Sequence, residues 1–108
     1  MVEIFCDGAV RDDGKYTYGA SACAIAVFNK QKPIYSASRL LTCKTSNQAE
    51  YEAIILALTT AVAADWFHPI IYTDSKTAYN QITGIWVTKS LNLVPLLYTI
   101  KQIQQRRN

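Results

Sequence analysis

The first forty residues show the apolar pattern of three strands joined by polar turns. Residues 2–7 form a short, mostly apolar run, and residues 18–28 are almost all small or apolar, as in a strand covered on at least one face. Residues 34–42 alternate between apolar and polar side chains, which favours a third strand at a sheet edge. Polar segments at 11–16 and 29–33 separate these runs. The pattern therefore predicts an antiparallel meander of three strands.

Beyond residue 42 the apolar residues recur at three- and four-residue spacing, which is the period of a helix. Thr45 or Ser46 can cap a helix over about 47–64, and Glu50 would then lie in its first turn, where a carboxylate suits the helix dipole. Three further elements follow. They are a buried strand at 70–73, a helix from 74 to about 82 and a helix from about 92.

Composition adds a size and a compartment to this outline. The 108 residues suffice for a single domain spanning 1–108, and 50% hydrophobic with 18% charged residues is an ordinary soluble globular composition. No apolar run reaches the ~20 residues of a membrane span, and the N-terminus lacks the pattern of a signal peptide. Cys6, Cys23 and Cys43 are widely spaced, which favours free thiols and a cytoplasmic location. The net charge of +3 is compatible with a polyanionic partner but is not evidence for one.

Three acids fall where predicted elements begin or end. Asp7 and Asp74 each follow a predicted strand, so they meet at one sheet edge if those strands are parallel neighbours, and Glu50 can approach from the helix between them. Three converging carboxylates need a cation, and Mg²⁺ or Mn²⁺ suits such oxygen ligands. Two such ions ~4 Å apart can activate water for phosphodiester cleavage. Alternatively each acid has a local role in a turn, a cap or a helix dipole, and the spacing alone leaves both interpretations open.

Three motifs carry a resemblance to a known family. They are Asp7-Gly8-Ala9, the run Thr-Ser-Asn-Gln-Ala-Glu-Tyr-Glu-Ala at 45–53, and Tyr-Thr-Asp-Ser-Lys at 72–76. In this order and at these separations they resemble type 1 ribonuclease H, and the resemblance covers essentially the whole chain. It implies an α/β fold with a mixed sheet of three antiparallel strands and a parallel fourth, in order 3-2-1-4, with helices packed on one face.

The resemblance also implies a reaction and a site. The reaction is endonucleolytic hydrolysis of the RNA strand of RNA–DNA hybrids by a two-metal-ion mechanism, with two Mg²⁺ or Mn²⁺ ions per site. Asp7, Glu50 and Asp74 match the family's first three catalytic, metal-binding acids.

Substrate-binding residues are implied in the same way. Thr45 and Asn80 match a pocket for a phosphate of the DNA strand, and Ser46 and Asn47 match positions that contact the RNA minor groove. Trp86 resembles, with an offset of one residue, an aromatic of the DNA-strand channel, although a core or lid aromatic is an equal alternative. The chain shows no basic handle in the segment 84–90, so substrate affinity is expected to depend on Lys44 and Lys76.

This chain departs from the family pattern at its end. A fifth strand, a last helix, a fourth Asp and a loop His cannot be placed before Asn108, and His68 lies away from the predicted site. Three explanations stay open: a fragment or natural short form, a second copy that supplies the missing part, or a domain that has lost catalysis. An uncovered sheet face and a free fourth-strand edge would recruit a partner, so we expect a homodimer.

Three functions therefore compete at the level of sequence. The first is the metal-dependent hybrid nuclease. The alternative is a catalytically weak or inactive ribonuclease H-like domain that binds nucleic acid or a protein partner. A third, inferred from the fold alone, is the related chemistry of transposases and resolvases.

Overall fold

The computed structural model describes residues 1–11, 20–42, 45–88 and 90–107. Lys44, a predicted substrate contact, and Cys43, a predicted free thiol, lie outside the described residues. The elements run in the order β1 (Val2–Arg11), β2 (Ala20–Asn29), β3 (Lys32–Leu41), α1 (Ser46–Ala63), β4 (Ile70–Tyr72), α2 (Lys76–Ile82) and α3 (Val94–Arg107).

The four strands form one mixed sheet in the order β3-β2-β1-β4. β1 pairs antiparallel with β2 and parallel with β4, and β2 pairs antiparallel with β3. This is the topology that the family resemblance implied, and it is confirmed. The parallel pairing follows from the connection. A helical crossover such as α1 makes β4 run in the same direction as β3, and β3 runs parallel to β1 because both are antiparallel to β2.

One face of the sheet carries the core. Ile4 of β1 pairs with Val27 of β2 and with Ile71 of β4, so their side chains share this face, and Ile4 and Val27 are fully buried. α1 packs against β1 and β2 on this side, and α3 packs against α1. Small residues on α1 allow this close packing, since Ala49, Ala53, Ala57 and Ala61 are all buried.

The opposite face, here called the open face, carries Phe5, Phe28 and Tyr72. The Phe5 ring stacks on Tyr72 with centroids 4.7 Å apart and meets Phe28 edge-on at 5.7 Å. Phe5 nevertheless remains 47% exposed. Asp7 lies on the same face, because side chains alternate along β1.

The start of α1 is fixed by a capping box that sequence analysis missed. The Thr45 hydroxyl accepts a hydrogen bond from the Gln48 amide at 3.2 Å, and Gln48 Oε1 accepts one from the Thr45 amide at 3.1 Å. Because α1 begins at Ser46, Glu50 is its fifth residue, and the prediction that Glu50 lies in the first turn is wrong. Among the described helices, none is long and apolar enough to cross a membrane.

Candidate active site at the ends of β1 and β4

Asp7 and Asp74 occupy matched positions beyond the parallel pairing of β1 and β4. The pairing ends with Phe5 opposite Tyr72, and each aspartate follows its paired residue by two positions. This register brings the two carboxylates to the same edge of the sheet, as the sequence predicts. The expectation that Asp7 ends its strand is wrong, because β1 continues to Arg11 through its pairing with β2. Asp7 is thus terminal only with respect to β4.

Glu50 reaches this edge because Gly8 has no side chain. A Cβ built on Gly8 would lie 2.1 Å from the Ala49 carbonyl oxygen and 2.5 Å from the Glu50 amide nitrogen, far inside van der Waals contact. The first turns of α1 therefore touch the backbone of β1 one residue from Asp7. A glycine at this position sets the separation of the acid on α1 from the acid on β1.

The electrostatics of Cys6 reflect all three acids. Burial raises the pKa of the Cys6 thiol to about 12, and Asp7, Asp74 and Glu50 add to the rise because their negative charges oppose a thiolate. Each of the three carboxylates therefore lies close enough to act on the same buried sulfur. Sequence analysis gave Cys6 no role in the site.

The carboxylates do not form a preassembled metal centre. Within the described residues, no three His, Cys, Asp or Glu side chains stand together so that they could hold an ion. The donor set is nevertheless that of a hard cation, since three carboxylates offer the oxygen ligands that Mg²⁺ and Mn²⁺ prefer. Asp7 and Asp74 are exposed, and exposed side chains change rotamer within nanoseconds. The backbone thus brings the three acids to the same edge of the sheet. Their side chains must still rotate before the carboxylates converge on an ion.

The predicted substrate residues lie on the neighbouring helices and loop. Ser46 is exposed and Asn47 half-buried at the start of α1, where the unpaired amides of a helix favour anions. Asn80 is buried on α2, and its carbonyl accepts a hydrogen bond of 2.9 Å from the amide of Trp86. The Trp86 side chain is 45% exposed, which argues against a core role. Lys76 is exposed at the first position of α2.

A buried tyrosine links the two helices that carry these residues. Tyr51 is fully buried beside Glu50, and its hydroxyl donates to Gln81 Oε1 at 2.6 Å. Burial raises the pKa of Tyr51 above its usual value, so the phenol remains a donor at neutral pH. This contact joins α1 to α2. Its sequence signal is Tyr51 itself, three positions before Ile54 on the buried side of α1.

One hollow beside α1 lies away from the acids. A cavity of about 520 Å³ lies at the opposite end of β4 and is lined in part by Trp66, His68 and Ile103. It confirms that His68 lies away from the carboxylates. The acids themselves stand at the surface, as suits a large substrate rather than an enclosed small molecule.

Comparison with known proteins places the chain in a class. A crystal structure of RNase H1 from the archaeon Halobacterium salinarum NRC-1 is 26% identical, covers 96% of this chain and 76% of its own, and superposes with a TM-score of 0.83. An N-terminal ribonuclease H domain from Mycobacterium tuberculosis is 23% identical, with 97% and 74% covered and a TM-score of 0.85. A compost-derived RNase H1, solved with an RNA/DNA hybrid, is 22% identical, with 99% and 78% covered and a TM-score of 0.85. The fold is that of type 1 ribonuclease H.

The family follows from a second comparison. A family model described as reverse transcriptase-like matches residues 6–108, nearly the whole chain. The chain belongs to this family, within the ribonuclease H-like fold. No curated protein matched the chain in sequence.

Proposed function

We propose that this protein is an endonuclease that hydrolyses the RNA strand of RNA–DNA hybrids. The observation that supports the proposal most directly is the register of β1 and β4, which brings Asp7 and Asp74 to one edge beside Glu50. Membership of the reverse transcriptase-like family and the likeness to RNase H1 structures support the same class of substrate.

The proposed cofactor is a pair of Mg²⁺ or Mn²⁺ ions held by Asp7, Glu50 and Asp74. When bound, such ions supply a nucleophilic water and stabilise the leaving oxygen of the phosphodiester. The chain's own contribution is placement. β1 and β4 hold the two aspartates at matched positions, and α1 carries Glu50 across Gly8 to the same place.

The proposed substrate contacts extend from this centre along α1 and α2. Ser46 and Asn47 contact 2′-hydroxyls in the minor groove of the hybrid, which is how a protein distinguishes an RNA strand from DNA. Thr45 and Asn80 hold a phosphate of the DNA strand beside the exposed ring of Trp86. Lys44 and Lys76 add attraction to the phosphate backbone.

The proposed location is a reducing compartment, the cytoplasm. Cys6 and Cys23 are both buried and neither forms a disulfide, although they lie on neighbouring strands. Free buried thiols are typical of proteins that fold where disulfides do not persist.

A second candidate is a ribonuclease H-like domain that binds nucleic acid or a protein partner without cleaving. It is favoured by one observation, that the three acids do not stand as a ready metal-binding group among the described residues. Both candidates require the same surface, so they differ only in whether the carboxylates converge on ions.

A labelled RNA–DNA hybrid incubated with Mg²⁺ or Mn²⁺ separates these functions. We expect cleavage of the RNA strand by the wild type and loss of cleavage in Asp74→Asn. Asp65→Asn is the matched control, because Asp65 is exposed at the far end of α1 and has a positive φ of 56° that asparagine adopts readily.

Each alternative has its own outcome in this assay. Hybrid binding without cleavage, unchanged by Asp7→Asn, would establish the binding domain in place of the nuclease. Preferred cleavage of double-stranded DNA would instead favour the chemistry of transposases and resolvases.

A further inference from the structure

The parallel pairing between β1 and β4 is short, and a thiol continues it. Three residue pairs join the strands, and the last is Phe5 opposite Tyr72. Immediately beyond that pair, the Cys6 thiol donates a hydrogen bond to the Tyr72 carbonyl oxygen, with Sγ and O 3.3 Å apart. This side-chain bond ties the end of β4 to β1 at the point where the described strand pairing stops.

This hydrogen bond lies directly before the two aspartates of the proposed site along both strands. Cys6 directly precedes Asp7, and Tyr72 precedes Asp74 by two residues. Cys6 is only 7% exposed, so water competes little for its thiol. A change in this bond would therefore move the segment that carries Asp74 relative to Asp7.

The hydrogen bonds on the other side of Asp74 lead to a different element. The Ser75 amide donates to the Thr73 hydroxyl at 3.1 Å, and the Ser75 hydroxyl caps α2 by accepting from the Ala78 amide at 3.1 Å. These bonds fix the segment to α2 and leave its distance from β1 undetermined. The strand pairing and, beyond its last pair, the thiol bond of Cys6 connect the segment to β1.

We propose that Cys6 is a positioning residue: its thiol, donated to the Tyr72 carbonyl, holds the end of β4 against β1 and thereby sets the separation of the Asp7 and Asp74 carboxylates. The inference rests on the proposed function, in which these two carboxylates bind metal. It assigns no chemical step to the sulfur. Its effect reaches the ions only through the two aspartates.

Two substitutions at position 6 isolate the hydrogen bond from the volume of the side chain. Cys6→Ser keeps a donor, whereas Cys6→Ala removes it, and the two residues differ by one hydroxyl. Cys23→Ala is the matched control, because Cys23 is also buried but lies on β2, which does not border β4. All three variants are compared as the full chain.

The first measurement needs neither metal nor activity. Amide hydrogen exchange in the metal-free protein should be several-fold faster at Thr73 and Asp74 in Cys6→Ala than in Cys6→Ser or Cys23→Ala, because local opening no longer breaks a bond to β1. Equal exchange at these amides in all three variants would overturn the positioning role.

The second measurement concerns the ions and the reaction. We expect Cys6→Ala to weaken Mn²⁺ binding and lower kcat by about tenfold, the lower end of what is lost with partners that orient metal ligands. KM for the hybrid should stay unchanged, and Cys6→Ser should restore both quantities. Equal losses in Cys6→Ala and Cys6→Ser would overturn the proposal, since packing rather than the donated bond would then be responsible.

The two measurements separate this inference from the function on which it rests. If the wild type neither binds Mn²⁺ nor cleaves hybrid, the proposed nuclease fails, and the exchange data alone decide whether Cys6 holds the Asp74 segment. If the wild type cleaves and the exchange pattern is absent, the nuclease stands and the role of Cys6 fails.

Discussion

Gly8 is the residue on which the approach of α1 to β1 depends. Its missing side chain leaves room for the Ala49 carbonyl, a backbone atom that cannot rotate away. We expect Gly8→Ala to lower the free energy of unfolding by about 1–3 kcal/mol or more, as overpacking does, and to abolish hybrid cleavage by displacing Glu50. Urea unfolding and the hybrid assay measure the two effects.

Gly84→Ala provides the comparison for this substitution. A Cβ on Gly84 meets nothing within 4 Å, but its φ of +86° makes a side chain costly by about 1–2 kcal/mol. Its cost is therefore confined to local strain, and cleavage should survive. A Gly8→Ala protein that still cleaves as fast as Gly84→Ala would contradict the role of this close contact.

The buried Cys6 thiol also makes a prediction about pH. Its pKa is raised from 9.0 to about 12, so above pH 9 the unfolded chain releases a proton that the folded chain retains. The free energy of unfolding is therefore unaffected by this group below pH 9 and falls as pH rises from 9 towards 12. Urea unfolding across this range should show a steeper fall for the wild type than for Cys6→Ser.

The tyrosines set the background for that comparison. Burial raises the pKa of Tyr51, and the hydrogen bond to Glu3 raises that of Tyr72, so both add a fall of the same sign above pH 10 in either protein. Parallel curves for the wild type and Cys6→Ser would therefore show that Cys6 ionises as easily in the folded chain as in the unfolded one.

Individual residues differ in how far the sequence reveals them. Asp7, Glu50 and Asp74 stand in recognisable motifs, and their places on β1, α1 and beyond β4 follow from the fold that the motifs imply. Cys6 directly precedes the first of these motifs, but its role is not visible in the sequence, because its bond is to a backbone carbonyl 66 residues away. Every residue type has a main-chain carbonyl, so the sequence does not show which residue accepts this hydrogen bond.

At the scale of elements, the capping box of α1 is the local device that fixes where the helix begins. Thr45→Ala removes the acceptor for the Gln48 amide and should cost about 1 kcal/mol of stability, whereas Thr45→Ser retains it and should cost little. Thermal or urea unfolding followed by circular dichroism measures this difference.

Hybrid affinity then tests the second role proposed for Thr45. If its hydroxyl also holds a phosphate, Thr45→Ala should lose affinity beyond what the altered stability explains, and Thr45→Ser should not. Equal stability of the two variants would show that the capping box does not support α1.

Element boundaries show where local pattern is insufficient. The Asp7-Gly8 step predicts the end of a strand, yet β1 runs on to Arg11 because β2 continues to pair with it. The second and fourth strands and all three helices were expected near their observed positions, since apolar period is a local property. Strand length depends on a partner, and the partner is not visible in the strand's own sequence.

At the scale of the whole molecule, periodicity predicted the number and order of elements but not which strands neighbour each other. The order β3-β2-β1-β4 came from the resemblance and was confirmed.

Metal binding at the proposed site also changes the charge that the molecule presents to a substrate. When cations neutralise the three carboxylates, the remaining side chains carry a charge of +6, which favours a phosphate backbone.

The open face leads to a prediction about association. Phe5, Phe28 and Tyr72 form an aromatic cluster on this face, and Phe5 and Tyr72 remain 47% and 39% exposed. Exposed contiguous apolar surface favours contact with a partner, and we expect concentration-dependent self-association in sedimentation velocity at tens of micromolar. Because Asp7 shares the open face, a bound hybrid should reduce the association.

A pair of matched variants locates the contact. Phe5→Ser should weaken self-association, whereas Tyr35→Ser should not, because Tyr35 is similarly exposed, at 50%, but lies on the other face of the sheet, on β3. If association persists in Phe5→Ser, the contact lies instead at the outer edge of β4, which is the last strand in the order of the sheet. A strictly monomeric wild type at these concentrations would contradict the prediction and show that the aromatic cluster does not bind a second copy.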